Sequence, residues 1–98
     1  MNEAEYETSD QQMCRSLIAL GAKIKRVETK GTNMHMVYVF SPMEEVMNAG
    51  RKFTVKQLIE KILLGDTDDL AVTLKNMLIS DNVWTMNIRH RDVLSNKG

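Results

Sequence analysis

Residues 53–65, Phe-Thr-Val-Lys-Gln-Leu-Ile-Glu-Lys-Ile-Leu-Leu-Gly, decide the fold class because they specify one complete helix. Thr54 and Gln57 have the spacing of a capping box, in which each side chain bonds the backbone N–H of the other residue. Gly65 supplies the left-handed conformation that ends many helices. Between these limits the apolar residues recur at helical spacing: Val55, Leu58, Ile59, Ile62 and Leu63. The stretch therefore predicts an amphipathic helix packed on a core.

The same signals predict a helix near the start of the chain. It begins at Thr8 or Ser9, since Ser9 and Gln12 form another capping box and Asp10 suits the positive end of the helix dipole. Gly21 is the expected C-cap. The apolar residues between these limits also follow helical spacing: Met13, Cys14, Leu17, Ile18 and Leu20.

Two further helices are predicted. Ser41, Pro42 and Glu44 suit the N-cap, N1 and N3 positions of a short helix that Gly50 would end. A longer helix is predicted from about Thr67 to Ile79. Its expected core stripe consists of Leu70, Leu74, Met77 and Leu78.

Three segments have the composition of strands. Ala22–Glu28 and Met34–Phe40 flank a turn-forming stretch, and the second of them carries apolar residues on both faces. Val83–His90 alternates and is read as a third strand, with a short helix as the alternative.

These elements predict one α+β domain over residues 1–98, with the order α-β-β-α-α-β and a small antiparallel sheet packed on the helices. Residues 1–7 and 93–98 are expected to be loose.

Composition limits the function classes. The formal net charge is zero, so no overall positive field draws the chain to nucleic acid or to an anionic membrane. A single cysteine excludes an intrachain disulfide and fits a reducing compartment. The acidic N-terminal residues do not resemble a signal peptide, and no apolar run approaches the ~20 residues of a membrane span. A cytoplasmic protein without a membrane partner is expected.

One acidic cluster has a possible metal-binding pattern. Asp66, Asp68 and Asp69 follow Gly65, but an EF-hand loop starting at Asp66 would need Glu at its twelfth position, where Met77 stands. We therefore interpret these acids as the cap and first turn of the fourth helix.

Few side chains have the chemistry of a catalytic site. His35, His90 and Cys14 are too few for a zinc site, and a Cys-His nucleophilic pair lacks a third orienting group. No phosphate-binding loop or nucleophile elbow is present. We expect no enzymatic activity, no cofactor and no metal.

Two surfaces remain as binding candidates. The first is rich in methionine, which suits an adaptable protein interface or a second copy of the chain, and consists of Met34, Met36, Met43 and Met47. The second is basic and suits nucleic-acid phosphates, or else a solvated edge strand that resists aggregation. Its residues are Lys23, Lys25, Arg26, Lys30, Arg89 and Arg91.

Residues from Tyr6 to about Trp84 resemble a small family of bacterial and phage proteins that forms a domain of unknown function. The matching segments are Glu7-Thr8-Ser9-Asp10, Leu17-Ile18-Ala19-Leu20-Gly21, Arg26-Val27-Glu28 and Met36-Val37-Tyr38-Val39-Phe40, followed by two helices. The resemblance implies a phage-encoded or mobile-element protein and carries no catalytic residue. Together these observations favour a non-catalytic module that binds an intracellular protein and associates with itself, with nucleic-acid binding as the alternative.

Overall fold

Three helices and two small antiparallel sheets make up the part of the chain that the structure describes. The structure, a computed structural model, describes residues 5–32 and 35–82. The elements in order are β1 (Tyr6–Thr8), α1 (Gln11–Leu20), β2 (Arg26–Lys30), β3 (His35–Phe40), β4 (Glu45–Asn48), β5 (Arg51–Thr54), α2 (Val55–Leu64) and α3 (residues 74–82). The α+β class is confirmed, while the order differs from the prediction at β1 and at β4–β5. The strand expected at 83–90 lies outside the described residues.

The α1 helix matches its predicted stripe and C-cap but not its N-cap. Asp10, rather than Ser9, is the N-cap, because its carboxylate accepts hydrogen bonds from the N–H groups of Gln12 and Met13 at 2.9 and 3.3 Å. Gly21 ends the helix with a φ of 114°, which an L side chain rarely adopts. All five residues of the predicted stripe are buried.

The α2 helix confirms the predicted capping box and ends at Gly65. Thr54 Oγ1 accepts from Gln57 N–H at 3.1 Å, and Gln57 Oε1 accepts from Thr54 N–H at 2.8 Å. Val55, Leu58 and Ile59 are buried, and Ile62 packs at the edge of the core. The prediction was wrong for Leu63, which lies on the solvent side of the last turn.

The first sheet has the strand order β1-β3-β2, with both neighbours antiparallel to the central β3. Tyr38 pairs with Thr8 on one side and Val27 on the other, so β1 corrects the expectation that residues up to 7 are loose. Side chains alternate along β3: Met36, Tyr38 and Phe40 enter the core, and Val37 and Val39 lie on the opposite face.

A β-hairpin replaces the helix predicted between Ser41 and Gly50. Val46 pairs with Phe53 inside β4–β5, and both side chains are buried. The two loop residues, Ala49 and Gly50, have φ values of 52° and 77°, as a type I′ hairpin turn requires. Ser41 and Pro42 therefore begin a turn and not a helix, because the residues that follow alternate between buried and exposed as a strand does.

The core lies between the inner face of the first sheet, α1, α2 and the inner face of the hairpin. Its buried members are Met13, Cys14, Leu17, Ile18, Leu20, Ala22, Met36, Tyr38, Phe40, Val46, Phe53, Val55, Leu58 and Ile59. Within the described residues, α3 contributes no side chain to this cluster.

Candidate functional site

The segment between α2 and α3 is fixed by one buried amide. Asn48, on the inner side of β4, donates from Nδ2 to Leu20 O at 3.0 Å and to Ala71 O at 2.7 Å. Its Oδ1 accepts from Ala71 N–H at 2.8 Å. Asn48 therefore ties the end of α1 to residue 71, just before α3, and no pattern in the sequence singled it out.

Asp69 of the acidic cluster holds the same segment between α2 and α3 through ion pairs, and the cluster does not cap a helix. Lys61 donates to Asp69 at 3.1 Å and Arg51 donates to it at 2.9 Å. The hydrogen bond from Lys61 is the largest cause that holds the pKa of Asp69 below its usual value. The cap expectation is wrong, because Thr73 caps α3: its Oγ1 accepts from Asn76 N–H at 3.1 Å.

The α3 helix lies against α1 through polar contacts. Ser80 Oγ donates to the backbone oxygen of Arg15 at 3.1 Å, and the Arg15 side chain forms an ion pair with Asp81. The Asn76 side chain reaches to within 3.7 Å of the position that a Cβ at Gly21 would occupy. The side of α3 that faces the domain is therefore polar.

The apolar stripe of α3 is exposed, with Leu74 and Leu78 facing away from the domain and Met77 at the side nearer α1. Leu74, Met77 and Leu78 share one helical face, and their exposed fractions are 72%, 50% and 56%, against 4% for Ser80. Residues two apart on a helix are separated by about 200°, so Asn76 and Ser80 lie nearly opposite Leu74 and Leu78. The prediction that this stripe joins the core is wrong for Leu74, Met77 and Leu78, whereas Leu70, which precedes the helix, packs against the core. In the sequence, the polar residues Asn76 and Ser80 were the feature that indicated which side of α3 contacts the domain.

Two adjoining clefts lie between α1 and the segment that leads into α3. The first, of about 340 Å³, is lined by Arg15, Ser16, Ala19, Val72, Met77, Ser80 and Asp81. The second, also about 340 Å³, is lined by Ser16, Ala19, Leu20, Ile62, Thr67, Leu70 and Val72. Both have the small side chains of Ser16 and Ala19 on one wall, and no charged residue lines the second. Leu63 and Leu64, both highly exposed, directly follow its Ile62 wall.

We use the name apolar end for these two clefts together with the exposed apolar side chains of the last turn of α2, of residue 72 and of α3: Leu63, Leu64, Val72, Leu74, Met77 and Leu78. Val72 lines both clefts and so connects the α2 side of this surface with the α3 side. Exposed apolar surface of this kind usually marks a contact site.

The predicted methionine surface is only partly assembled. Met36 is buried in the core and is not available to a partner, while Met34 lies outside the described residues. Met43 and Met47 are exposed. The backbone oxygen of Met47 and the side chain of Asn76 both approach Gly21, so β4 runs beside α3.

The cations of the predicted basic strand are paired with carboxylates. Arg26 binds Glu5 through two hydrogen bonds of 2.6 Å, and Lys25 binds the same carboxylate at 2.8 Å. Arg26 also donates to Glu28 at 2.6 Å. Lys30 binds Glu7 at 2.7 Å. These ion pairs lie on the outer sheet face that carries the buried Val37 and Val39.

Pairing changes the electrostatics of this strand. The hydrogen bonds from Arg26 and then Lys25 lower the pKa of Glu5 to about 2, and the hydrogen bond to Glu7 raises the pKa of Lys30. Three cations thus face three carboxylates, so they form no free basic face. Lys23 is exposed nearby, and Arg89 and Arg91 lie outside the described residues.

Cys14, His35 and His90 were the remaining candidates for chemistry. Cys14 is buried, and burial raises its thiol pKa to about 12, so the thiolate is scarce at neutral pH. His35 is exposed at the start of β3, and His90 lies outside the described residues. In residues 5–32 and 35–82, no three His, Cys, Asp or Glu side chains are grouped to hold a metal ion. Over the same residues, no helix has the length and apolar character to cross a membrane.

Comparison with protein-family models, with curated proteins and with solved structures gives no match for this chain. The resemblance to the bacterial and phage family therefore stays a prediction, and the function has to be argued from the geometry of the residues.

Proposed function

We propose that this chain is a small non-catalytic protein-binding module that associates with itself through its apolar end. The observation that carries the proposal is the reversed orientation of α3, whose apolar stripe faces outward while Ser80 is buried against α1. Transferring one Leu or Met side chain fully out of water gains about 1.5–3 kcal/mol. Several such side chains together favour a contact that covers them.

A second copy is the occupant that the surface chemistry favours over nucleic acid. Phosphates need unpaired cations, whereas Lys25, Arg26 and Lys30 already have carboxylate partners. The exposed side chains of the apolar end need an apolar partner, and another copy of the chain presents the same chemistry. The intracellular protein target of the assembled module, and its origin in a phage or mobile element, remain part of the proposal.

Sedimentation velocity tests the proposal by measuring mass at about 0.1 M and about 1 M salt, where the Debye length falls from ~10 to ~3 Å. We expect a dimer or larger species at both salt concentrations, because apolar contacts are not screened. Leu78→Asp should give monomer, and Met47→Asp should shift the equilibrium the same way because β4 runs beside α3. Lys56→Asp, on the exposed side of α2, is the control and should leave the mass unchanged. A monomeric wild type, or an associated Leu78→Asp variant, contradicts the proposal.

Oligonucleotide titration tests the alternative function. We expect a dissociation constant of about 10⁻⁴ M or weaker at physiological salt, as for non-specific contacts. Sub-micromolar binding that is lost in a Lys25→Glu, Arg26→Glu variant, and unaffected by Leu78→Asp, would instead favour the nucleic-acid interface.

A further inference from the structure

Little apolar surface holds β1 on the first sheet. The strand has three residues and lies at an edge of the sheet, where it pairs with β3. Tyr6 is its one apolar side chain, and this side chain is partly buried against the core. Glu7 is exposed and Thr8 is partly buried. Segments with few buried apolar contacts open at a lower free energy than the rest of a domain.

Charged side chains also hold β1, and they reach it from the β2 side of the sheet. The central strand β3 lies between β1 and β2, which are therefore two strand spacings apart, roughly 10 Å. Glu5, which precedes β1, accepts two hydrogen bonds of 2.6 Å from Arg26 and forms an ion pair of 2.8 Å with Lys25. Lys30 donates to Glu7 at 2.7 Å. Long cationic side chains thus fasten the two carboxylates of β1 across the outer face of β3.

These ion pairs are open to water and to dissolved salt. The exposed fractions of the five side chains lie between 28% and 50%. Exposed pairs contribute little to stability one at a time, and salt weakens them. The ion pairs matter more for β1 than for β2, because β2 pairs with β3 over five residues and β1 over three.

The β1 strand covers one edge of β3. Lys25 N–H donates to Val39 O at 2.8 Å, so the backbone polar groups of Val39 point toward β2. Successive residues of a strand point these groups to opposite sides, so those of Tyr38 and Phe40 point toward β1. An uncovered row of such groups is a template for pairing with another chain. What fastens β1 therefore also decides whether this edge is covered.

We propose that β1 is a detachable edge strand, fastened over β3 by the ion pairs of Glu5 and Glu7, that opens while the rest of the domain stays folded and opens more readily as salt rises. Ionic strength then sets how often the edge of β3 is uncovered. The proposal goes beyond self-association and does not depend on it, because β1 belongs to the first sheet and not to the apolar end.

Amide hydrogen exchange, followed by NMR for each residue, tests the proposal within one strand. The N–H groups of Tyr38 and Phe40 report on β1, whereas those of Val37 and Val39 report on β2. At about 0.1 M salt we expect lower protection factors for the first pair than for the second. At about 1 M salt, where the Debye length falls to ~3 Å, protection of the first pair should drop by a further factor of roughly 3 to 30 relative to the second.

Neutral variants test the ion pairs directly. The double substitution Glu5→Gln, Glu7→Gln should lower the protection of Tyr38 and Phe40 at low salt about as much as added salt does. It should also remove most of the salt effect. Glu60→Gln changes an exposed glutamate of α2 and should leave all protection factors unchanged.

Three outcomes would overturn the proposal. Equal protection of all four amides would show that β1 opens only together with the whole sheet. A wild type whose Tyr38 and Phe40 amides do not respond to salt would show that the ion pairs do not fasten the strand. A uniform loss of protection along β3 in the double variant would show that the ion pairs support the whole fold. The salt series uses the wild type, so it decides the question even if the double variant does not fold.

Discussion

Replacing Asn48 with alanine is expected to destabilise the fold strongly, although Asn48 lies next to a hairpin turn, where substitutions usually cost little. The side chain makes three hydrogen bonds, two to the backbone of Ala71 and one to Leu20 O. Ala71 is exposed, so water can replace the two bonds there and each loss costs about 0.5–1.5 kcal/mol. The Leu20 bond is buried, and an unpaired carbonyl there costs about 1–3 kcal/mol. The free energy of unfolding should fall by about 2–6 kcal/mol.

Urea unfolding at fixed protein concentration measures this loss. With a slope of about 1–3 kcal/mol per molar, a loss near 3 kcal/mol lowers the midpoint by about 1–3 M. Asn82→Ala removes an exposed amide and should stay within about 0.5 kcal/mol of the wild type.

A second substitution at the same position tests the geometry of the bonds. Asn48→Asp keeps an oxygen for Ala71 N–H but turns the other oxygen toward Leu20 O and Ala71 O, which are both acceptors. At neutral pH its destabilisation should therefore equal or exceed that of Asn48→Ala. If Asn48→Ala costs less than about 1 kcal/mol, or Asn48→Asp is tolerated, this hydrogen-bond network does not hold the α2–α3 segment.

Three other perturbations have expected outcomes. Ile59→Ala, in the buried stripe of α2, should cost about 2–5 kcal/mol in urea unfolding, while the exposed Lys56→Ala should cost within about 0.5 kcal/mol; equal losses would refute the assigned orientation of α2. Ala49→Asn should raise the unfolding free energy by about 0.5–1 kcal/mol, because Asn tolerates the left-handed φ of 52° better than Ala; a loss would refute the type I′ turn. Glu5 has a pKa lowered to about 2, so its contribution to stability is present above its unfolded value near 4.5 and is lost as the pH falls toward 2. Thermal melts of Glu5→Gln should thus show a weaker pH dependence in that interval than the wild type or the exposed control Glu60→Gln.

The helices that the sequence predicts well are those whose caps and stripe agree. Thr54, Gln57 and Gly65 define α2 locally, and the buried face follows from the spacing. The region from Ser41 to Gly50 shows the limit of such signals. Ser-Pro-Met-Glu is a good helix start, but Val46 and Phe53 gain burial only if their segments pair as strands. The burial of Val46 and Phe53 in the tertiary structure therefore outweighs the local helix-start signal.

The candidate site was harder to predict, because periodicity identifies a stripe without showing what it faces. Leu74, Met77 and Leu78 have the spacing of a core stripe, yet they face outward because Asn76 and Ser80 make the contacts with the domain. The basic strand shows the same limit for charge. Lys25, Arg26 and Lys30 are a cluster in the sequence, but the strand pairing of β1 and β2 with β3 brings Glu5 and Glu7 to them.

The features of the apolar end depend on one another through the segment that joins α2 to α3. Asn48 fixes Ala71, and Arg51 with Lys61 fixes Asp69, so the position of Val72 between the two clefts follows from residues that do not line the second cleft. If copies of the chain associate through the apolar end, loosening this segment should weaken association as well as folding. Asn48→Ala should therefore raise the dimer dissociation constant even under conditions where the variant is fully folded. A folded Asn48→Ala variant that associates as tightly as the wild type would show that the apolar end forms without this anchor.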